Sequence, residues 1–184
     1  ALTDLEHPCQ VLADFMTVQE CFGALKGKTL AYIGDGNNVA HSLMLCGSLL
    51  GVNVRIAIPK GFEPSKSIFE KAISLSNFGS TIEITNNPIE AANDADVLYT
   101  DVWASMGQED EKDKREEAFK GFSINDSLLS NAKQEAIVLH CLPAHRGQEI
   151  SATTMEGSQS RIFDQAENRL HVQQALLAAL LGGL

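Results

Sequence analysis

Three short stretches of this sequence carry side chains that could do chemistry. Asp101 lies within an otherwise apolar run, with Val97-Leu98-Tyr99-Thr100 before it and Val102-Trp103 after it. A carboxylate there is costly unless paired or hydrogen-bonded. It reads as a buried ion pair or as the counter-charge for a cationic ligand, and the second reading is preferred. Cys141 follows His140 at the end of another apolar run. Such a thiol is either core filling or a reactive group. Successive strand residues face opposite ways, so His140 and Cys141 are not by themselves a nucleophile–base pair. A third run closes in Gly34-Asp35-Gly36-Asn37-Asn38. Its glycines suit a tight strand-to-helix turn. They make a poor dinucleotide site, because the third glycine is missing and the next run ends Ile56-Ala57-Ile58-Pro59, without an acid for a ribose. Asn38 can cap the helix that follows or bind a ligand.

Two helix segments add candidates. His7-Pro8-Cys9-Gln10 opens a helical pattern, where free N–H groups and the helix dipole favour an anion or a carbonyl oxygen; a routine helix start is the alternative. Arg169, in Ala166-Glu167-Asn168-Arg169, is either a surface salt bridge or a phosphate clamp. His41 and His171 read as packing or surface histidines, and Trp103 as a wall of a crevice.

The elements that must position these residues alternate regularly. Runs rich in β-branched residues cover 29–34, 53–58, 81–85, 97–103 and 136–142, with helical patterns at 39–50, 65–78, 88–95 and 123–132 between them. That alternation predicts a doubly wound, three-layer α/β domain with a parallel sheet of about five strands and right-handed crossovers. In the common order 3-2-1-4-5 the first and fourth strands are neighbours at the topological switch point, where ligands of such sheets bind. Asn38, Asp101 and Cys141 then converge on one crevice. Helices bracket the core: one carries Val11, Phe15, Val18 and Phe22 at helical spacing, and the other runs from 164 to 181 and ends apolar on nearly every side. Residues 109–117 hold six acids and three bases and read as a solvated, mobile insert.

Composition bounds the function. The chain has 184 residues, 44% hydrophobic and 21% charged, with a formal net charge of -10. That balance argues against nonspecific binding to nucleic acid or anionic membranes. The apolar stretch at 175–184 is far short of the ~20 residues of a membrane span. Cys9, Cys21, Cys46 and Cys141 include no C-x-x-C pair, so neither a zinc site nor a disulfide framework is expected. The first residues show no secretory pattern.

Taken together, these segments resemble the C-terminal half of ornithine carbamoyltransferase. The resemblance rests on His7-Pro8-Cys9-Gln10 with Leu12-Ala13-Asp14, on Gly34-Asp35-Gly36-Asn37-Asn38, on 101–109 with Ser105-Met106-Gly107, on His140-Cys141-Leu142-Pro143-Ala144 and on Ala166-Glu167-Asn168-Arg169. It implies transfer of a carbamoyl group from carbamoyl phosphate to L-ornithine, giving L-citrulline and phosphate. It further implies that Asn38, Asp101, Ser105 and Met106 bind ornithine and that Cys141 and Asp101 are catalytic. His7, Gln10, Cys141, Leu142 and Arg169 would meet carbamoyl phosphate, and a thiolate at Cys141 could take a proton from the reacting amine. No metal or organic cofactor is implied. The implied partners are an N-terminal domain and two further copies in a homotrimer, in the cytoplasm or the mitochondrial matrix. The implied layout is an interdomain helix over 1–22, an ornithine domain over 23–163 and a C-terminal helix over 164–184. The insert after Ser105-Met106-Gly107 would be a lid. A Ser-x-Arg-Thr-Arg phosphate motif of that family is absent from these residues, so the chain alone is expected to turn over little or not at all. A non-catalytic binding module of the same fold is the alternative.

Overall fold

The computed structural model describes residues 2–104 and 111–182, without the side chain of Lys112. In chain order the elements are α1 (Pro8–Phe22), β1 (Thr29–Ile33), α2 (Asn38–Leu50), β2 (Asn53–Ala57), α3 (Lys66–Ser74), β3 (Ile82–Thr85), α4 (Pro88–Ala92), β4 (Val97–Thr100), α5 (Lys112–Ala118), α6 (Asp126–Leu129), β5 (Ile137–His140), α7 (Ala152–Met155) and α8 (Ile162–Leu180). The strands form one parallel sheet in the order β3-β2-β1-β4-β5, as the alternation of elements predicts.

Period-2 alternation splits each strand between two cores. Leu30, Tyr32, Val54, Ile56, Val97, Tyr99, Ile137 and Leu139 point to one face, under α1, α2 and α3. Ala31, Ile33, Ala57, Leu98 and Val138 point to the other, under α4, α6 and α7 with Phe119 and Phe122. Both faces are therefore covered, which is why the strand runs are almost continuously apolar. Asp96 anchors the opposite end of the sheet: it accepts from the Thr29 N–H and pairs with Lys28 and Lys133.

Strand pairing ends sooner than the apolar runs suggest. The last partners of β4 and β5 are Thr100 and His140. Asp101 and Cys141 lie just beyond them, where the backbone no longer has to serve the ladder and side chains can turn toward each other. The helix expected over 123–132 shortens to α6, and α7, capped by Ser151, was not expected.

The charged segment, read as a solvated helix or loop, is a largely exposed helix over its described residues, with one anchored side. Residues 105–110 lie outside the described residues, and so do the predicted Ser105, Met106 and the start of the proposed lid. The described remainder forms α5, and it is anchored: Arg115 is buried at 6% exposure and Phe119 is fully buried. Helices α1 and α8 pack on each other through Asn168, which donates to Thr17 Oγ1 and Glu20 Oε2. Phe163, Leu170, Leu177 and Leu180 of α8 remain exposed. Among the described residues no helix is long and apolar enough to cross a membrane.

Candidate active site

The tips of β1, β4 and β5 build the first half of the site. Asn37 ends the β1 loop and caps α2, its Oδ1 accepting from the N–H groups of Val39 and Ala40. That fixes the amide so that Nδ2 faces away from the helix and donates to Asp101 Oδ2 at 2.7 Å. Asp101 Oδ1 accepts from the Val102 N–H at 2.8 Å and from the Cys141 thiol at 2.9 Å. One carboxylate thus joins all three tips. Gly36 makes the close packing possible: a Cβ there would lie 2.3 Å from Pro64 N and 2.5 Å from Phe62 O. The glycine is required by the neighbouring 62–64 backbone, not by a left-handed turn.

The bond from Cys141 bears on the thiolate that the resemblance allows. Burial pushes the thiol pKa well above its usual value, and the charge and hydrogen bond of Asp101 push it the same way. Both effects favour the neutral S–H, which donates to Asp101. A thiolate needs a cation or helix N-terminus beside it, and its neighbour is instead a carboxylate.

Behind it, His140 is held from three sides. Its ring Nδ1 accepts from the Leu142 N–H at 2.9 Å, so the proton sits on Nε2, 3.1 Å from the buried Glu149. Its backbone N–H donates to Gln165 Oε1 at 2.9 Å. Asp101, His140 and Cys141 each bring one potential metal-ligand atom within 4.8 Å of the others. In this structure both ring nitrogens of His140 are engaged and the Cys141 thiol donates to Asp101.

The second half lies between α1 and α8. Arg169 donates to Gln10 Oε1, and Gln10 Nε2 donates to Asp14 Oδ1 at 2.8 Å. His7 is buried, and its Nδ1 has no hydrogen-bond partner among the described residues. Burial and the charge of Arg169 lower its pKa while the charge of Asp101 raises it. The net shift is downward and keeps the ring neutral at neutral pH. His7 is within electrostatic reach of both Arg169 and Asp101. The site therefore presents a carboxylate and a thiol on one side and an imidazole, an amide and a guanidinium on the other. That arrangement can hold a cationic amine against a polar, anionic electrophile.

Of the residues singled out in the sequence, Asp101 and Cys141 are in direct contact, and His7, Gln10 and Arg169 form the facing group. Leu142, at positive φ of 59°, follows Cys141 at the β5 tip. Asn38 sits on the first turn of α2, where its Nδ2 donates to Thr3 O at 2.7 Å. The cap assigned to Asn38 is made by Asn37 instead. Trp103 stacks on Phe119 and packs against the core on that face of the sheet. His41 is a packing residue, bonded to Leu5 O and the Ser65 N–H. Asn37, Asp14, Gln165 and Glu149 were missed as site residues. Asn37 and Asp14 lie inside quoted motifs, whereas nothing local marks Gln165 or Glu149.

Residues 26–180 match the family described as "Aspartate/ornithine carbamoyltransferase, Asp/Orn binding domain". The ornithine carbamoyltransferase of Parasynechococcus marenigrum (strain WH8102) is 68% identical over 184 residues, which are 100% of this chain and 58% of that protein. That of Prochlorococcus marinus (strain MIT 9313) is 66% identical over the same span and again 58% of its length. Among solved structures, the ornithine carbamoyltransferase from Pyrococcus furiosus superposes with a TM-score of 0.93 at 48% identity, covering 98% of this chain and 58% of that one. The enzyme from Gloeobacter violaceus gives 0.91 at 51% identity, with 98% and 60% covered. The chain thus spans a little under two thirds of the relatives it matches. On fold and sequence alike, the chain belongs to the aspartate/ornithine carbamoyltransferase family, and its residues 26–180 correspond to that family's Asp/Orn-binding domain.

Proposed function

We propose that this chain supplies the ornithine side of an ornithine carbamoyltransferase, which converts carbamoyl phosphate and L-ornithine to L-citrulline and phosphate. The observation that carries the reading is the Asn37–Asp101–Cys141 junction at the switch-point crevice. It is a buried carboxylate oriented by an amide and a thiol, with the His7–Gln10–Arg169 group opposite.

The reaction needs ornithine's side-chain nitrogen uncharged. An alkyl amine has a pKa of ~10.4, so its neutral form at pH 7 costs roughly 4 to 5 kcal/mol. With Cys141 protonated, the thiol is not the resting base. Removal from water lowers an amine pKa, so desolvation of the bound amine lowers the cost of its neutral form. The neutral nitrogen attacks the carbonyl carbon of carbamoyl phosphate. One bond forms, nitrogen to carbon; one breaks, carbon to phosphate oxygen; the proton shed by nitrogen goes to the released phosphate. Asp101 anchors the cationic end of ornithine, with Asn38, Ser105 and Met106 at its amino and carboxylate groups. His7 and Gln10 meet the carbamoyl oxygen, the carbonyls of Cys141 and Leu142 its amide, and Arg169 the phosphate. Holding both reactants in near-attack geometry contributes much of the acceleration.

The same reading carries a complementary N-terminal half, a homotrimer, a place in arginine biosynthesis or the urea cycle, and a cytoplasmic location. Residues 1–22 and 164–184 are then interdomain helices. Calorimetric titration tests it: ornithine should give a specific heat that Asp101→Ala abolishes. Purified chain with both substrates should make no citrulline above background. No ornithine heat would sink the binding reading and favour a non-catalytic module. Robust citrulline formation would show that the site is complete in this chain.

A further inference from the structure

Asp14 has no exposed surface, and the reaction proposed above gives it no task. It lies one helical turn beyond Gln10 on α1. Its Oδ1 accepts from Gln10 Nε2 at 2.8 Å and from Gln165 Nε2 at 2.6 Å. Both amides can face only one way. The oxygen of Gln10 meets Arg169, and the oxygen of Gln165 meets the His140 backbone N–H; those partners can only donate. Two NH2 groups are therefore aimed at a single carboxyl oxygen from two helices. Gln165 also donates to the Tyr99 hydroxyl at 3.2 Å, on β4. Asp14 Oδ2 has no hydrogen-bond partner among the described residues.

We propose that Asp14 is a positioning residue: by holding Gln10 and Gln165 through one oxygen, it fixes the α1–α8 group and the β5 tip carrying Cys141 in one arrangement. The naming of carbamoyl phosphate and ornithine as what those two parts meet rests on the function proposed above; the network itself does not. Removing the acceptor strips the Gln10 NH2 of its bond to Asp14 and leaves the Gln165 NH2 with the Tyr99 hydroxyl alone. Arg169, held through Gln10, and the His140 N–H, held through Gln165, then shift together. The junction also changes charge near neutrality. Burial raises the Asp14 pKa to about 7, with Gln165, Gln10, Tyr99 and Arg169 pulling it back. The titratable groups facing it are Arg169 from α8, Tyr99 from β4, Cys141 from the β5 tip and Cys46 from α2. Burial and interaction with Asp14 raise the last three, so within this group only Asp14 changes charge near neutrality.

The experiment is a pH titration of the intact 184-residue chain by nitrogen-15 NMR. In the wild type the His140 amide and the Gln10 and Gln165 side-chain amides should titrate in step, with a midpoint near 7. Asp14→Asn keeps the acceptor oxygen but cannot ionise, and should flatten all three curves. In calorimetry, Asp14→Leu should weaken ornithine binding by about tenfold or more, the cost of a buried unpaired donor, while Asp14→Asn should largely rescue it. Curves that persist with the same midpoint in Asp14→Asn, or an Asp14→Leu protein with unchanged ornithine affinity and His140 shift, would overturn the proposal. If Asp14→Leu does not fold, the comparison of wild type with Asp14→Asn still decides it. Amides that titrate together in a protein giving no ornithine heat would uphold the positioning network and defeat the functional reading instead.

Discussion

Arg115→Met should destabilise the protein strongly, and more so at alkaline than at acid pH. Arg115 Nη1 lies 2.7 Å from Asp35 Oδ2 and donates to Trp103 O at 2.9 Å, and the guanidinium sits 5.0 Å over the Phe62 ring. Both partners are buried, Arg115 at 6% and Asp35 at 8% exposure. Methionine keeps much of the packing volume but strands the carboxylate of Asp35, which already feels the charge of Asp101. Breaking one side of a buried pair costs about 3 to 5 kcal/mol. The pH dependence follows from the direction of the Asp35 shift. Burial raises its pKa, and Arg115 pulls it back; without Arg115 it rises further. A carboxyl whose folded pKa is raised adds stability below its unfolded pKa and loses it as pH rises through the folded value. The deficit of Arg115→Met should therefore be smaller near about pH 5 than near about pH 8. Adding Asp35→Asn should recover about 1 to 3 kcal/mol of it, since residues in contact couple by that much. Urea unfolding of the four proteins of this cycle at both pH values measures all of these quantities. A deficit below about 1 kcal/mol, or one independent of pH, would mean that the pair behaves as a surface salt bridge and does not fix α5 to the β1 tip.

The other predictions concern the strand tips. Asp101→Asn should speed alkylation of Cys141, by roughly tenfold per unit of thiol pKa recovered, because Asp101 is the second cause, after burial, that keeps the proton on sulfur. Iodoacetamide labelling read by peptide mass spectrometry separates Cys141 from the other three thiols, and an unchanged rate would mean that burial alone holds the proton. Gly36→Ala should cost about 1 to 3 kcal/mol or more by overpacking, since its Cβ would overlap the backbone of 62–64. Gly34→Ala, whose Cβ would meet only the Tyr32 side chain at 3.2 Å, should cost less. Equal denaturation midpoints for the two variants would contradict this account of the β1 loop.

The architecture, and which strand tips meet, can be read from local patterns in the chain. Apolar runs of strand length alternating with helical patterns are local signals, and parallel connections admit few topologies. The order β3-β2-β1-β4-β5 and the meeting of the β1, β4 and β5 tips were therefore legible before any coordinate. So was the family, from the ordered motifs around His7, Asn38, Asp101, Cys141 and Arg169. Tertiary structure decided what each group does there. Asn37 and Asn38 are chemically identical neighbours; only the phase of α2 makes one the cap on Asp101 and sends the other to Thr3. The proton on Cys141 depends on burial and on a carboxylate 40 residues away. Asp14 and Gln165 meet across 151 residues, and Arg115 leaves a charged stretch to pair with Asp35, 80 residues earlier. Local spacing carries no signal for such contacts. Protonation and hydrogen-bond partnership depend on the dielectric and the charges gathered from several elements, and these exist only once the chain has folded.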